Sequence, residues 1–265
     1  GPHMCAFHAK FKEAALFKRV VESLKSTIDK TNFDCSDAGI AVQCMDNSHV
    51  SLVSLLIETD AFDEFQCLKP ITLGINLTHL SKILKALDND CGLILDVKKV
   101  DDAVLSITSE GTNKTMKFGL NLVDIEAESV EIPELQSDAI ITLSSAEFLK
   151  ITKDFSALGD DSITIGCTKN EVTLTTKGAM CETCMTLSAL ENVDSNGLQI
   201  EHNKDVTASF ALKQISEFAK SAPLADNVKL SLSGQAPLIM EFKGEACVLK
   251  FYLAPKFDEE DEPQE

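Results

Sequence analysis

The stretch NLTHLSKILKAL, residues 76–87, decides how the rest of the chain is read. Leu80, Ile83, Leu84 and Leu87 recur at the 3.6-residue period of a helix with one apolar stripe. At about 100° per residue, the positions two and five past Leu80 point the opposite way, and these are Lys82 and Lys85. None of the twelve residues is acidic, although the whole chain carries 42 Asp+Glu against 24 Lys+Arg and a formal net charge of -18. A helix that reverses the charge of its chain needs a physical reason.

Three other segments share the design. One stripe is Phe17, Val20, Val21, Leu24 and Ile28; the next is Phe148, Ile151 and Phe155; the last is Ile215, Phe218, Ala219 and Ala222. Opposite them stand Arg19 and Glu22 flanked by Lys18 and Lys25, then Lys150 and Lys153, then Glu217 and Lys220 with Lys213 nearby. The windows 13–26, 78–87, 145–156 and 212–222 hold 9 basic and 5 acidic residues, leaving 15 basic and 37 acidic elsewhere. Lysine is a good helix former, which explains one such face without any ligand. Four in an acidic chain ask for more, because glutamate forms helices equally well. Helices that bury one face and present lysines on the other make a platform for a polyanion, contacted through phosphate charge and without base reading.

The same stretch also repeats. INLTHLSKILKAL (75–87) lies over FALKQISEFAKSA (210–222) with Leu77 on Leu212, Leu80 on Ile215, Ser81 on Ser216 and Lys85 on Lys220. Period-two alternation predicts half-buried strands at 50–58, 93–97, 104–108, 116–122, 163–168, 172–175, 180–187, 228–233 and 248–253. Turn signals at 37–39, 169–171 and 233–235 make most connections hairpins. The order helix, strands, helix, strands occurs twice, so an α+β fold of two similar domains is expected. A chain of 265 residues, 44% hydrophobic, can fill two such cores.

LVDIEAESVEIPELQS (122–137) is acidic, follows neither period and contains Pro133, and is read as the connecting loop between domains 5–121 and 138–256. GPHM (1–4) reads as a cloning remnant, and FDEEDEPQE (257–265) as an acidic disordered tail. No apolar run nears the ~18 to 20 residues of a membrane span and no leader signal opens the chain, so a soluble intracellular protein is expected. Nine scattered cysteines suit free thiols in a reducing compartment.

CETC (181–184) raises an enzyme reading, a thiol oxidoreductase using Cys181 and Cys184. Redox chemistry of this kind wants the first thiol at a helix N-terminus, where its pKa falls, whereas this stretch reads as a strand. A lone CxxC is half a zinc site, so no metal is expected. Phosphate-loop, HExxH and GxSxG motifs are absent, and adjacent Asp160 and Asp161 read as turn residues. No catalytic residue and no cofactor is expected.

CMDNSHVSLV (44–53), GINLTHLSKILK (74–85), SFALKQISEFAKSAPL (209–224) and FYLAPKF (251–257) resemble the proliferating cell nuclear antigen family of eukaryotic DNA sliding clamps. The resemblance runs from Phe7 to the acidic tail. It implies DNA-clamp domains with strands outside and two helices each inside, closed as a homotrimeric ring around double-stranded DNA. Lys18, Arg19, Lys25, Lys82 and Lys85 would line the hole, with Lys150, Lys153, Lys213 and Lys220, and Lys114 near the rim. The strand at about 114–121 would pair with the one at about 179–187 of the next subunit. Phe118, Leu120, Phe155, Leu158 and Met180 would pack there, with Cys181 and Cys184 on the interface strand; ordinary core packing explains each of the apolar ones singly as well.

The resemblance further implies a role as processivity factor for a replicative DNA polymerase, in the nucleus. Clients such as DNA polymerase, flap endonuclease, DNA ligase and the clamp loader would insert a glutamine, aliphatic, aromatic motif into an apolar pocket beneath the connecting loop. The matching residues are Met45, His49, Val50, Leu52, Val130 and Ile132, then Pro133, Pro237, Tyr252, Ala254, Pro255 and Lys256. Lys169 matches the family's ubiquitin-acceptor lysine, although its surroundings differ. Phe118 and Phe251 replace tyrosines common in the family, and Gln214 stands where a regulatory tyrosine is often found. A subunit of a checkpoint-type heterotrimeric clamp shares this fold and is the nearer rival.

Overall fold

The computed structural model describes residues 5–132, 134–189 and 197–257. The chain divides into two compact units. Unit 1 comprises Gly1–His49, Val53–Val130 and Gly244–Leu249; unit 2 comprises Val50–Leu52, Glu131–Lys243 and Lys250–Glu265. The expected cloning remnant, Pro133 and tail residues 258–265 lie outside the described residues.

The N-terminal half contains β1 (Phe7–Phe11), α1 (Ala14–Lys25), β2 (Lys30–Ser36), β3 (Gly39–Met45), β4 (Ser51–Glu58) and β5 (Phe62–Cys67). β6 (Ile71–Asn76), α2 (Leu77–Lys85), β7 (Gly92–Val97), β8 (Val104–Gly111) and β9 (Lys114–Asn121) complete it. The C-terminal half contains β10 (Ala139–Ser144), α3 (Ser145–Leu158), β11 (Ser162–Cys167), β12 (Glu171–Lys177) and β13 (Glu182–Ser188). It continues with β14 (Gln199–His202), β15 (Val206–Ala211), α4 (Leu212–Ala219), β16 (Asn227–Leu232), β17 (Leu238–Lys243) and β18 (Cys247–Leu253).

The strand orders are β5-β1-β7-β8-β9 and β4-β3-β2-β6 in the first half, and β13-β12-β11-β15 and β14-β10-β16-β17-β18 in the second. Alternation builds these sheets: β7 reads buried at Leu93, Leu95 and Val97, and β11 at Ile163, Ile165 and Cys167. Each helix follows a strand and seals the inner face with its apolar stripe. Phe17 stacks on Phe11 at 4.7 Å in unit 1, and Phe218 lies on Phe251 at 4.3 Å with rings 6° apart in unit 2. The Asn76 and Ser144 side chains accept hydrogen bonds from the His79 and Glu147 backbone amides, satisfying donors that α2 and α3 leave open.

Two expectations shift. α4 stops at Ala219 and Ala222–Leu224 forms a separate 3-10 turn, because Pro223 lacks an amide donor and disfavours helix at the residue before it. β13 begins at Glu182, two residues later than alternation predicts, because the Gly178 amide donates to the Cys181 carbonyl at 2.9 Å and closes a turn that holds Met180.

All nine cysteines are free. Burial raises the pKa of Cys35, and pushes that of Cys247 up to about 12, which keeps these thiols protonated and unreactive.

On the first sheet of unit 1, His8 of β1 bonds Asp96 of β7 through Nδ1 at 2.5 Å and Glu64 of β5 through Nε2 at 2.8 Å. Partial burial pulls the imidazole pKa down, but the bonds to the two carboxylates outweigh it and the net shift is upward. A raised folded-state pKa contributes stability that is complete below about 6.5 and lost as pH rises through the folded value. The thermal midpoint is therefore expected to fall by roughly 1–2 °C above pH 6.5, a small effect because water screens the cluster. Differential scanning fluorimetry of wild type and His8→Asn across pH 6–8.5 checks this: only the wild type should show the fall.

Candidate nucleic-acid face and partner-contact residues

The two helices of each unit pack against one another and turn their lysine faces away from the core. In unit 1, Arg19 and Lys82 are exposed and pair with no carboxylate among the described residues. The Lys18 ammonium donates to the Leu87 carbonyl and, at 3.0 Å, to Asn89 Oδ1. These bonds tie α1 to the segment that follows α2. Lys85 and Lys25 stand 3.9 and 4.0 Å from the two carboxylate oxygens of Glu22, whose Oε1 also accepts the Ser81 hydroxyl proton at 2.5 Å.

Unit 2 is arranged differently. Lys150, Lys153 and Lys213 are exposed without ion pairs among the described residues, and only Lys220 is engaged, 2.9 Å from Glu217. Ser156 and Ser216 share a 2.6 Å hydrogen bond between α3 and α4. A groove of about 410 Å³ runs beside it, with Lys153, Lys213 and Lys220 on its walls. Sequence patterning identified the basic faces but not these polar links between helices. Their signal was present: the repeat lays Ser81 on Ser216, and each bonds across to the neighbouring helix.

Lys114 opens β9, the last strand of its sheet, and β13 ends the four-stranded sheet of unit 2. These edges are poorly covered: β13 has no buried residue, and β9 buries only Leu120. Of the expected interface residues, Phe118, Leu158 and Cys181 are half-buried, Cys184 is exposed and Met180 is 75% exposed. Phe155 at 1% exposure and Leu120 are different: their own cores take them up, leaving almost no surface for a second chain. Cys181 precedes β13 and Cys184 lies opposite Thr175 of β12, so neither sits at a helix N-terminus.

The expected partner-peptide residues fall in both units. Met45 and Val130 are half-buried and His49 is exposed, at φ 59 in a turn. Val50, Ala254 and Lys256 are exposed; Leu52, Ile132, Pro237 and Pro255 are half-buried; Tyr252 is buried at 6% exposure. The Lys256 ammonium donates to the Asp161 carbonyl and to Ser162 Oγ, both at 3.3 Å, so its charge serves unit 2 itself. The connecting loop is held at its start by the Val123 amide on the Gly74 carbonyl at 3.0 Å and by Asn32 Nδ2 on the Ile125 carbonyl at 3.1 Å. Lys169 is exposed in the turn between β11 and β12.

The family model of the proliferating cell nuclear antigen N-terminal domain matches residues 6–131, and that of the C-terminal domain residues 131–257. The proliferating cell nuclear antigen of Chaetomium thermophilum is 37% identical over 257 residues, covering 96% of this chain and 99% of that protein. The crystal structure of proliferating cellular nuclear antigen from Entamoeba histolytica superposes with a TM-score of 0.91 at 93% identity, covering 96% of this chain and 100% of that one. These matches span both halves and favour neither a checkpoint-type subunit nor a thiol oxidoreductase. A repeated pair of lysine-faced helices, and matches to the models of both its domains, lead to one assignment: the chain belongs to the proliferating cell nuclear antigen family, DNA sliding clamps and processivity factors that are not enzymes.

Proposed function

We propose that three copies of this chain close into a ring around duplex DNA, with α1 to α4 of every copy facing the phosphates. The observation that carries the reading is the pair of open sheet edges, β9 and β13. An uncovered edge strand of seven or eight residues pairs with further chains unless something covers it. Pairing β9 of one copy with β13 of the next satisfies both of these edges, and a closed ring leaves neither of the two over. Lys114 and Lys117 give the β9 edge positive charge, which disfavours pairing of β9 with itself, while β13 carries Glu182.

A ring changes what the lysines must do. Nonspecific contacts of ~10⁻⁴ to 10⁻⁶ M do not retain a protein on DNA for long. Topology holds the clamp, and Arg19, Lys82, Lys150, Lys153 and Lys213 centre the duplex. Replicative polymerase, flap endonuclease, ligase and clamp loader would dock through short motifs on the residues around Val50 and Tyr252, in the nucleus. Small apolar anchors concentrate binding energy in few contacts. Lys169, exposed in a turn, is the candidate site of modification.

Light scattering of the purified chain tests the ring. A mass three times 28.8 kDa is expected, and Met180→Lys together with Cys184→Lys should reduce it to that of one chain by placing charge on β13 and on the turn before it. A wild-type chain that stays monomeric at micromolar concentration overturns the reading.

A further inference from the structure

The two helix pairs carry similar numbers of lysines but deploy them differently. In unit 1 the carboxylate of Glu22 projects from α1 toward α2 and is pinned there by the hydroxyl of Ser81, itself 1% exposed. Lys25 of its own helix and Lys85 of the neighbouring helix approach its two oxygens at 4.0 and 3.9 Å. At the repeat-equivalent place in unit 2, Ser216 bonds Ser156, a neutral partner, so no carboxylate bridges α3 and α4. Lys150, Lys153 and Lys213 remain unpaired there among the described residues.

We infer that Glu22 is a positioning residue that holds Lys25 and Lys85 back from duplex phosphate, leaving the α3/α4 pair to supply most of the grip. The inference rests on the reading that these helices face DNA. Exposed ion pairs at these distances contribute little to stability. Their effect on a polyanion is larger in kind, because a phosphate that reaches Lys25 or Lys85 must displace Glu22 and then lie beside its negative charge. Both ammonium groups stand within 4 Å of the carboxylate, well inside the ~8 Å screening length at physiological salt. The Ser81 hydrogen bond orients the carboxylate toward α2, a restraint that a free glutamate lacks. A clamp gains from such restraint, since every added phosphate contact steepens salt dependence and hinders movement along the duplex.

Glu22→Gln removes the charge while keeping an acceptor for Ser81. Fluorescence anisotropy of the assembled protein on a labelled duplex, titrated with KCl, should show tighter binding for this variant. Its plot of log affinity against log salt should steepen by about 1.8 per engaged chain, the mark of two added phosphate contacts. Glu22→Asp, which keeps the charge, should gain less than Glu22→Gln does, and Lys25→Ala with Lys85→Ala in the Glu22→Gln background should abolish the gain. Unchanged affinity and slope in Glu22→Gln overturn the inference, as does a gain that survives loss of both lysines. The triple change Lys150→Ala, Lys153→Ala, Lys213→Ala separates the two levels. If it weakens binding while Glu22→Gln is silent, the positioning role alone fails; if it leaves binding intact, the DNA-facing reading fails.

Discussion

Replacing Phe251 with alanine is expected to destabilise unit 2 by about 3–5 kcal/mol, the range for emptying an aromatic site that cannot collapse. Phe251 is 1% exposed, lies flat on Phe218 of α4 at 4.3 Å and meets Phe242 edge-on at 6.4 Å. Alanine removes both ring contacts and detaches α4 from the sheet it covers, so the lysine face on that helix should loosen with it. Phe251→Tyr is informative because it adds a single hydroxyl to the same ring. A hydroxyl added between these rings would enter an apolar enclosure, costing roughly 1–3 kcal/mol unless it finds a partner. Chemical denaturation of the three forms measures both effects. Loss of less than 1 kcal/mol in the alanine form would mean that the stacked pair does not hold α4.

Changing Lys82, Lys150, Lys153 and Lys213 together to alanine is expected to lower duplex affinity by on the order of 10–100-fold near physiological salt. The salt slope should become shallower by up to about 3.6 per engaged chain, four contacts at roughly 0.9 each. The four are chosen because the structure leaves them exposed and without ion pairs among the described residues, unlike Lys18, Lys25, Lys85 and Lys220. Particle mass and thermal midpoint should not change, since none of the side chains is buried. Clamp-stimulated DNA synthesis should fall in parallel with affinity, and full stimulation by this variant would reject the basic-face argument.

Legibility in the sequence followed the local physics of each element. The helix stripes were plain because Leu80, Leu84, Ile215 and Phe218 meet a core on one side only, and all four are buried. Strands such as β7 and β11 alternate cleanly, whereas β5, FDEFQC, exposes Asp63 and Glu64 in succession and shows no usable period. β1, β6, β10 and β15 also lie outside the predicted strands, each running almost directly into a helix, and so do β2, β3, β14 and β17. Among candidate contact residues, Phe155 read equally well as interface or core until its burial was known. Lys18 has the address of a phosphate contact on its helix, and its bonds to Leu87 and Asn89 could not be read from that address.

Charge sign, helix periodicity and the internal repeat were determined by the amino-acid order alone, because each depends on neighbours within a few positions along the chain. Which cations stay free was decided only by the tertiary structure. Whether Lys85 is restrained turns on a carboxylate some sixty residues distant in sequence, brought within 4 Å by the packing of α1 on α2. Pairing energies fall off over a few ångströms, and no local pattern encodes a distance that folding alone creates.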